Sequence, residues 1–101
     1  LLPHVMNYNL PGAQEKFADI AAAMGEIVDN MPLREAAGLA VEAVNALIED
    51  CGVQTSLEEL GIEEDDFAAL AEIALTVARP LANNPRPVTR EDAVAIYEDA
   101  F

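Results

Sequence analysis

Apolar residues recur at helical spacing along most of the chain, and no segment alternates for long enough to predict a strand. The clearest helix follows Pro32, which suits a first turn, and stops at Gly52. One of its faces carries a continuous apolar stripe of Leu33, Ala37, Ala40, Val41, Val44, Leu47, Ile48 and Cys51. This stripe predicts a long helix packed on the core, with Cys51 as a small buried side chain.

Shorter helical patterns lie on both sides of this stripe. The segment AQEKFADIAAAMG places Phe17, Ile20, Ala21 and Met24 on one face, and Gly25 provides its stop. The segment TREDAVAIYEDAF begins at Thr89, a predicted N-cap with Asp92 three residues later. Its buried face is expected to contain Ala93, Ile96, Tyr97 and Ala100.

The region between these helices predicts one short helix, one longer helix and a loop. Ser56 and Glu59 form the pattern of a capping box that opens a single turn ended by Gly61. The segment EDDFAALAEIALTVARPL has helical spacing, and Pro80 should end or kink it. The two Asn and two Pro of ANNPRPVT predict a loop. Residues 1–101 therefore read as a single all-helical domain, an all-α bundle of about five or six helices.

The charge excludes some classes of partner. A net charge of −14, from 19 acidic and 5 basic residues, repels phosphate backbones and anionic membranes, so neither nucleic acid nor a membrane is an expected partner. No apolar run approaches the ~18 residues of a membrane span. A single cysteine, Cys51, fits a reducing cytoplasm.

The residues that commonly carry chemistry are isolated in this sequence. His4 is the only histidine, far from Cys51, and no metal-ligand spacing surrounds either residue. Ser56 follows Thr55 where an acyl carrier protein has Asp before its carrier Ser, and a helix-capping role accounts for this serine. Glycines occur singly and form no phosphate-binding loop. No catalytic, cofactor-binding or metal-binding residue is therefore predicted.

Four stretches of the sequence carry a family resemblance: LLPHVMNYN, EKFADIAAAMG, GVQTSLEELGIEEDDFAALAEIAL and NNPRPVTREDAVAIYEDAF. In this order, they resemble the C-terminal helical domain of iron-containing (group III) alcohol dehydrogenases. The resemblance is greatest to the branch with 1,3-propanediol dehydrogenase and lactaldehyde reductase. It implies a dehydroquinate synthase-like helical domain that follows an N-terminal NAD(P)-binding domain. In that family, an Asp and three His hold Fe²⁺, which polarises the substrate oxygen during hydride transfer.

The resemblance also implies that this chain is a C-terminal fragment of a two-domain enzyme. The family's metal ligands precede LLPHVM, and His4 matches none of them, so the fragment should bind no cofactor and be inactive alone. Its partners would be the missing nucleotide-binding domain, the upstream metal-ligand helices and further copies of the chain in a homo-oligomer. Separation from that domain should expose Leu1, Leu2, Val5, Met6 and Tyr8 and cause self-association.

A possible substrate-side loop departs from the family pattern. Many relatives carry a Cys before Asn-Pro-Arg, whereas this chain has Arg79, Pro80 and Leu81 near that position. These three residues are the candidates for substrate contact. The alternative for the whole chain is a free-standing acidic helical interaction module without catalysis.

Overall fold

The structure is a computed structural model that describes all 101 residues. It contains no strand, which confirms the all-α prediction, and its six helices are α1 (Leu2–Asn9), α2 (Gln14–Ala23), α3 (Leu33–Asp50), α4 (Phe67–Ala74), α5 (Ala78–Ala82) and α6 (Arg90–Asp99). Three single 3₁₀ turns cover Leu10–Gly12, Glu58–Leu60 and Glu64–Asp66. None of the helices combines the length and hydrophobicity that crossing a lipid bilayer requires.

The chain forms two compact units. The N-terminal unit is Leu2–Val53, and the C-terminal unit is Gln54–Phe101 together with Leu1. In the N-terminal unit, α2 and α1 pack against α3. The buried core there consists of Met6, Phe17, Ala21, Ala37, Ala40 and Val41. Half of these side chains are alanines, which allow neighbouring helix axes to approach closely.

Glycines end both long helices of the N-terminal unit, as predicted. The N–H of Gly25 (φ 97°) donates to the Ala22 carbonyl at 3.0 Å, and the N–H of Glu26 donates to the Ala21 carbonyl at 3.0 Å. The same pair of bonds ends α3 at Gly52 (φ 66°). This arrangement satisfies carbonyls that the helix itself leaves unbonded, and it requires a left-handed residue after the helix.

The apolar stripe of α3 is only partly buried. Ala37, Ala40 and Val41 are in the core, but Leu33 and Leu47 are 45% and 53% exposed. Cys51 is also exposed, so the prediction of a buried cysteine is wrong. The reason is length: α2 has 10 residues and α3 has 18, so α2 is about 12 Å too short to cover both ends of α3.

The first helix also differs from expectation. Leu1, Leu2 and Val5 are exposed as predicted, whereas Met6 is buried and Tyr8 is half-buried. Met6 belongs to the core that forms where α1 packs on α3. The predicted apolar surface is therefore smaller than the sequence suggested.

The C-terminal unit has an aromatic core. Phe67 is 4% exposed and lies between two rings, with centroid distances of 6.3 Å to Tyr97 (stacked) and 5.5 Å to Phe101 (edge to face). Leu57 and Ala100 complete the buried set. The rings join α4 to α6, and such pairs stabilise a core beyond their buried area.

The helix around Pro80 breaks earlier than predicted. Helix α4 ends at Ala74, three residues of turn follow, and Pro80 lies in the first turn of α5. A proline N cannot bond the carbonyl four residues earlier, here that of Thr76, and its ring crowds that turn. The Thr76 carbonyl instead accepts from Ala78 N–H at 3.0 Å across a tight turn at Val77.

Capping bonds hold the ends of the C-terminal unit. The Thr89 hydroxyl accepts from Asp92 N–H at 3.1 Å and the Asp92 carboxylate accepts from Thr89 N–H at 2.9 Å, which confirms the predicted start of α6. The Ser56 hydroxyl accepts from Glu59 N–H at 3.4 Å. It also donates to the Phe101 carbonyl at 2.8 Å, and Leu57 N–H donates to the Ala100 carbonyl at 2.9 Å.

Candidate functional site

The predicted substrate-side residues lie on a short helix rather than in a loop. Arg79 and Pro80 are exposed on α5, and Leu81 is half-buried. The Asn83 side chain donates to the Arg79 carbonyl at 3.0 Å and so binds the end of α5. The segment therefore presents the Arg79 cation beside the apolar side chains of Pro80 and Leu81, a combination suited to binding a ligand. These three residues include no nucleophile and no general acid.

The residues after α5 form the predicted turn. The Asn84 amide donates to the Arg86 carbonyl at 2.6 Å, two residues away, which is the local bonding typical of Asn in turns. Further along, Arg90 at the start of α6 lies 3.5 Å from Glu72 on α4. Both groups of this ion pair are exposed, so it contributes little to stability.

The residues of this chain do not fit the iron that the family resemblance implies. No group of three or more His, Cys, Asp or Glu side chains could hold a metal ion. His4 lies on α1 with its Nδ1 shielded from solvent, and Cys51 lies exposed at the end of α3. Iron sites need several converging ligands, and the fold brings no such set together.

Ser56 is engaged in structural hydrogen bonds. Its hydroxyl donates to the Phe101 carbonyl and accepts from Glu59 N–H. The bond from Glu59 N–H supports the helix-capping interpretation that the sequence favoured, and the bond to Phe101 joins Ser56 to the end of the C-terminal unit.

A groove of about 410 Å³ in the C-terminal unit combines carboxylates with aromatic rings. It is lined by Glu64, Asp65, Phe67, Ala68, Val94, Glu98 and Phe101. Glu64 and Asp65 lie in the 3₁₀ turn before α4, and Glu98 lies in the last turn of α6. All three side chains are exposed to water. Carboxylates that are exposed to water need no ligand to account for them.

The N-terminal unit contains a larger groove that the sequence did not predict. Its volume is about 560 Å³ and its lining is Asn7, Leu10, Pro11, Gln14, Arg34 and Gly38. Residues from α1, α2 and α3 meet there, so the groove depends on tertiary packing. One sequence signal exists: Arg34 lies in the first turn of α3, where a helix dipole favours acids.

Comparison with known proteins identifies the family. The model of the "Fe-containing alcohol dehydrogenase family, C-terminal" matches residues 1–101. Lactaldehyde reductase from Escherichia coli K12 is 46% identical and 1,3-propanediol dehydrogenase from Citrobacter freundii is 43% identical, each over 100% of this chain and 26% of the relative. The crystal structure of a 1,3-propanediol oxidoreductase superposes with a TM-score of 0.95 at 41% identity, covering 99% of this chain and 26% of that one.

These matches confirm the resemblance stated from the sequence. They extend over the whole chain, they agree in sequence and in fold, and they include the branch that was predicted. The chain spans about a quarter of the length of the curated relatives it matches. It belongs to the Fe-containing alcohol dehydrogenase family, of which it matches the C-terminal part.

Proposed function

We propose that residues 1–101 are the C-terminal helical domain of a two-domain alcohol dehydrogenase that interconverts alcohols and aldehydes or ketones with NAD(P). The observation that carries this proposal is the family match over the whole chain. Its support is strengthened by 46% identity to a lactaldehyde reductase and by the superposition with a TM-score of 0.95. Both relatives are named for oxidoreductase activity on small alcohols or aldehydes.

The iron and the nicotinamide belong, in this proposal, to residues outside the 101-residue chain. The carboxylates, His4 and Cys51 form no group that could hold a metal, and no glycine loop for a dinucleotide exists in the sequence. The isolated chain is therefore expected to be inactive. Its partners are an N-terminal nucleotide-binding domain and, in a homo-oligomer, further copies of the enzyme, which we place in the cytoplasm.

We further propose that α5 contributes to the substrate side of the intact enzyme through Arg79, Pro80 and Leu81. Arg79 is exposed and supplies a cation in a strongly acidic chain, and Leu81 provides an apolar neighbour. Such a pair can orient a small polar alcohol by a charge-assisted hydrogen bond and an apolar contact.

A chimera tests the proposal. The 101 residues of this chain would replace the matched 101 residues of E. coli lactaldehyde reductase, and NAD(P)-linked turnover of alcohols would be measured with iron supplied. We expect activity within about two orders of magnitude of the parent, because small misplacements at a catalytic site cost up to that factor. The relative without its matched segment and the 101-residue chain alone should both be inactive.

Two results would contradict the proposal. Turnover by the isolated chain would show that it carries its own chemistry, and a folded chimera without activity would show that it cannot serve as this domain. Within an active chimera, Arg79→Ala should raise KM for the alcohol by about tenfold at constant kcat, as loss of ground-state binding requires. Lys16→Ala, which removes an exposed cation from α2, is the matched control and should change neither constant.

A further inference from the structure

The groove of the N-terminal unit combines an apolar wall with three polar side chains. Leu10 and Pro11 belong to the 3₁₀ turn after α1, and Asn7, Gln14 and Arg34 extend from α1, α2 and α3. Its volume of about 560 Å³ is within the range of small-molecule sites. Three of its six lining residues carry polar side chains, which can orient a ligand on the apolar surface.

The polar groups of the groove are available to a ligand. The side chains of Asn7, Gln14 and Arg34 take part in none of the hydrogen bonds or ion pairs that the structure forms. The Arg34 guanidinium forms no ion pair, although the chain has 19 acids and only 5 bases.

Gly38 keeps the groove open beside Arg34. A Cβ built on Gly38 meets nothing within 4 Å, so packing within the chain does not require this glycine. Gly38 lies four residues after Arg34 and lines the groove, where a side chain would narrow it.

We propose that this groove binds a small organic monocarboxylate. Its carboxylate pairs with the Arg34 guanidinium, whose planar fork matches two carboxylate oxygens. The amides of Asn7 and Gln14 donate further hydrogen bonds, and the carbon chain lies against Leu10 and Pro11. A phosphate dianion is a poorer match, because one arginine is the groove's only cation and the net charge of −14 repels a second negative charge.

NMR titration of the ¹⁵N-labelled chain with sodium hexanoate tests the proposal. The amide signals of residues 7, 10, 14, 34 and 38 should shift and saturate, with a dissociation constant on the order of 1 mM for so small a ligand. Hexanamide, which keeps the carbon chain but lacks the charge, should bind about tenfold more weakly. Acetate, which keeps the charge but lacks the chain, should also bind about tenfold more weakly.

Two pairs of variants separate the groove from general effects. Arg34→Gln should weaken hexanoate binding about tenfold, whereas Lys16→Gln removes the same charge from exposed α2 and should leave binding unchanged. Gly38→Leu should fill the groove and weaken binding about tenfold, whereas Ala46→Leu adds the same side chain to an exposed position of α3 and should have no effect. Leucine is a good helix former, so α3 is retained in both variants.

The proposal is overturned if hexanoate shifts none of these amides at 50 mM, or if Arg34→Gln and Lys16→Gln weaken binding equally. Binding of hexanamide as tightly as hexanoate would show that the groove recognises only the carbon chain, and it would also overturn the proposal. Tighter binding of inorganic phosphate than of hexanoate would assign the groove to a different anion. Far-UV circular dichroism of every variant establishes that the helices are intact.

Discussion

The two compact units of this chain stabilise their helices in different ways. In the N-terminal unit, Ala21, Ala37 and Ala40 are fully buried and allow the backbones of α2 and α3 to come close. In the C-terminal unit, the rings around Phe67 fill the space between α4 and α6. A larger side chain added to a core that packs closely through alanines forces the helices apart. Removal of a ring from an aromatic core leaves a cavity instead. The two units should therefore respond to opposite kinds of mutation.

The largest effect is expected for Phe67→Ala. Removing a buried ring leaves a cavity beside Tyr97 and Phe101 and should lower the free energy of unfolding by about 3–5 kcal/mol. Urea denaturation followed by circular dichroism measures the loss. Leu60→Ala, at a position that is 60% exposed in the same unit, should cost about 0.5 kcal/mol or less. Similar losses for the two variants would contradict the aromatic core.

A smaller loss is expected when volume is added to the alanine core. Ala40 is 0% exposed, so Ala40→Leu should force α2 and α3 apart and lower the free energy of unfolding by about 1–3 kcal/mol. Ala46→Leu makes the same change at an exposed position of α3 and should be nearly neutral, because leucine forms helices almost as well as alanine. If both substitutions were neutral in urea denaturation, close packing through Ala40 would be wrong.

The smallest effect is expected when the N-terminal cap of α6 is removed. Thr89→Ala removes the acceptor for the Asp92 N–H and should lower the free energy of unfolding by about 1 kcal/mol. Thr76→Ala is the control, since Thr76 lies in the turn after α4 and its exposed hydroxyl only donates to the Ile73 carbonyl. Hydrogen exchange of the first-turn amides of α6 should accelerate in the first variant only. Equal exchange in both would contradict the cap.

Features that a few neighbouring residues determine were predictable from the sequence. Gly25, Gly52 and Gly61 have positive φ angles where helices or turns were expected to stop. Thr89 and Asp92 form both bonds of their box. In each case the physical cause lies within one turn of helix, so no knowledge of tertiary packing was needed.

Features that depend on a packing partner were not predictable. The burial of Cys51 required α2 to extend along all of α3, and α2 ends too early. The burial of Met6 required knowing that α1 packs on α3. The break before Pro80 is different, because its cause is local: proline disrupts the turn that precedes it, which places the break towards the N-terminus.

The candidate sites follow the same division. The sequence indicated Arg79, Pro80 and Leu81 through a departure from a family pattern, and their contact with substrate stays a prediction. The groove around Arg34 was missed because its lining comes from three helices and one turn. Only a cation in the first turn of α3 marked it, and that signal is weak without the geometry.

The bonds that join Ser56 and Leu57 to the last two residues of the chain have a consequence for synthesis on the ribosome. Ser56 and Phe101 are 45 residues apart, so this part of the C-terminal unit cannot close until residue 101 has left the exit tunnel. The N-terminal unit needs only consecutive helices and is complete at residue 53. Translation therefore gives the first unit a head start in folding, while the second must wait for Ala100 and Phe101.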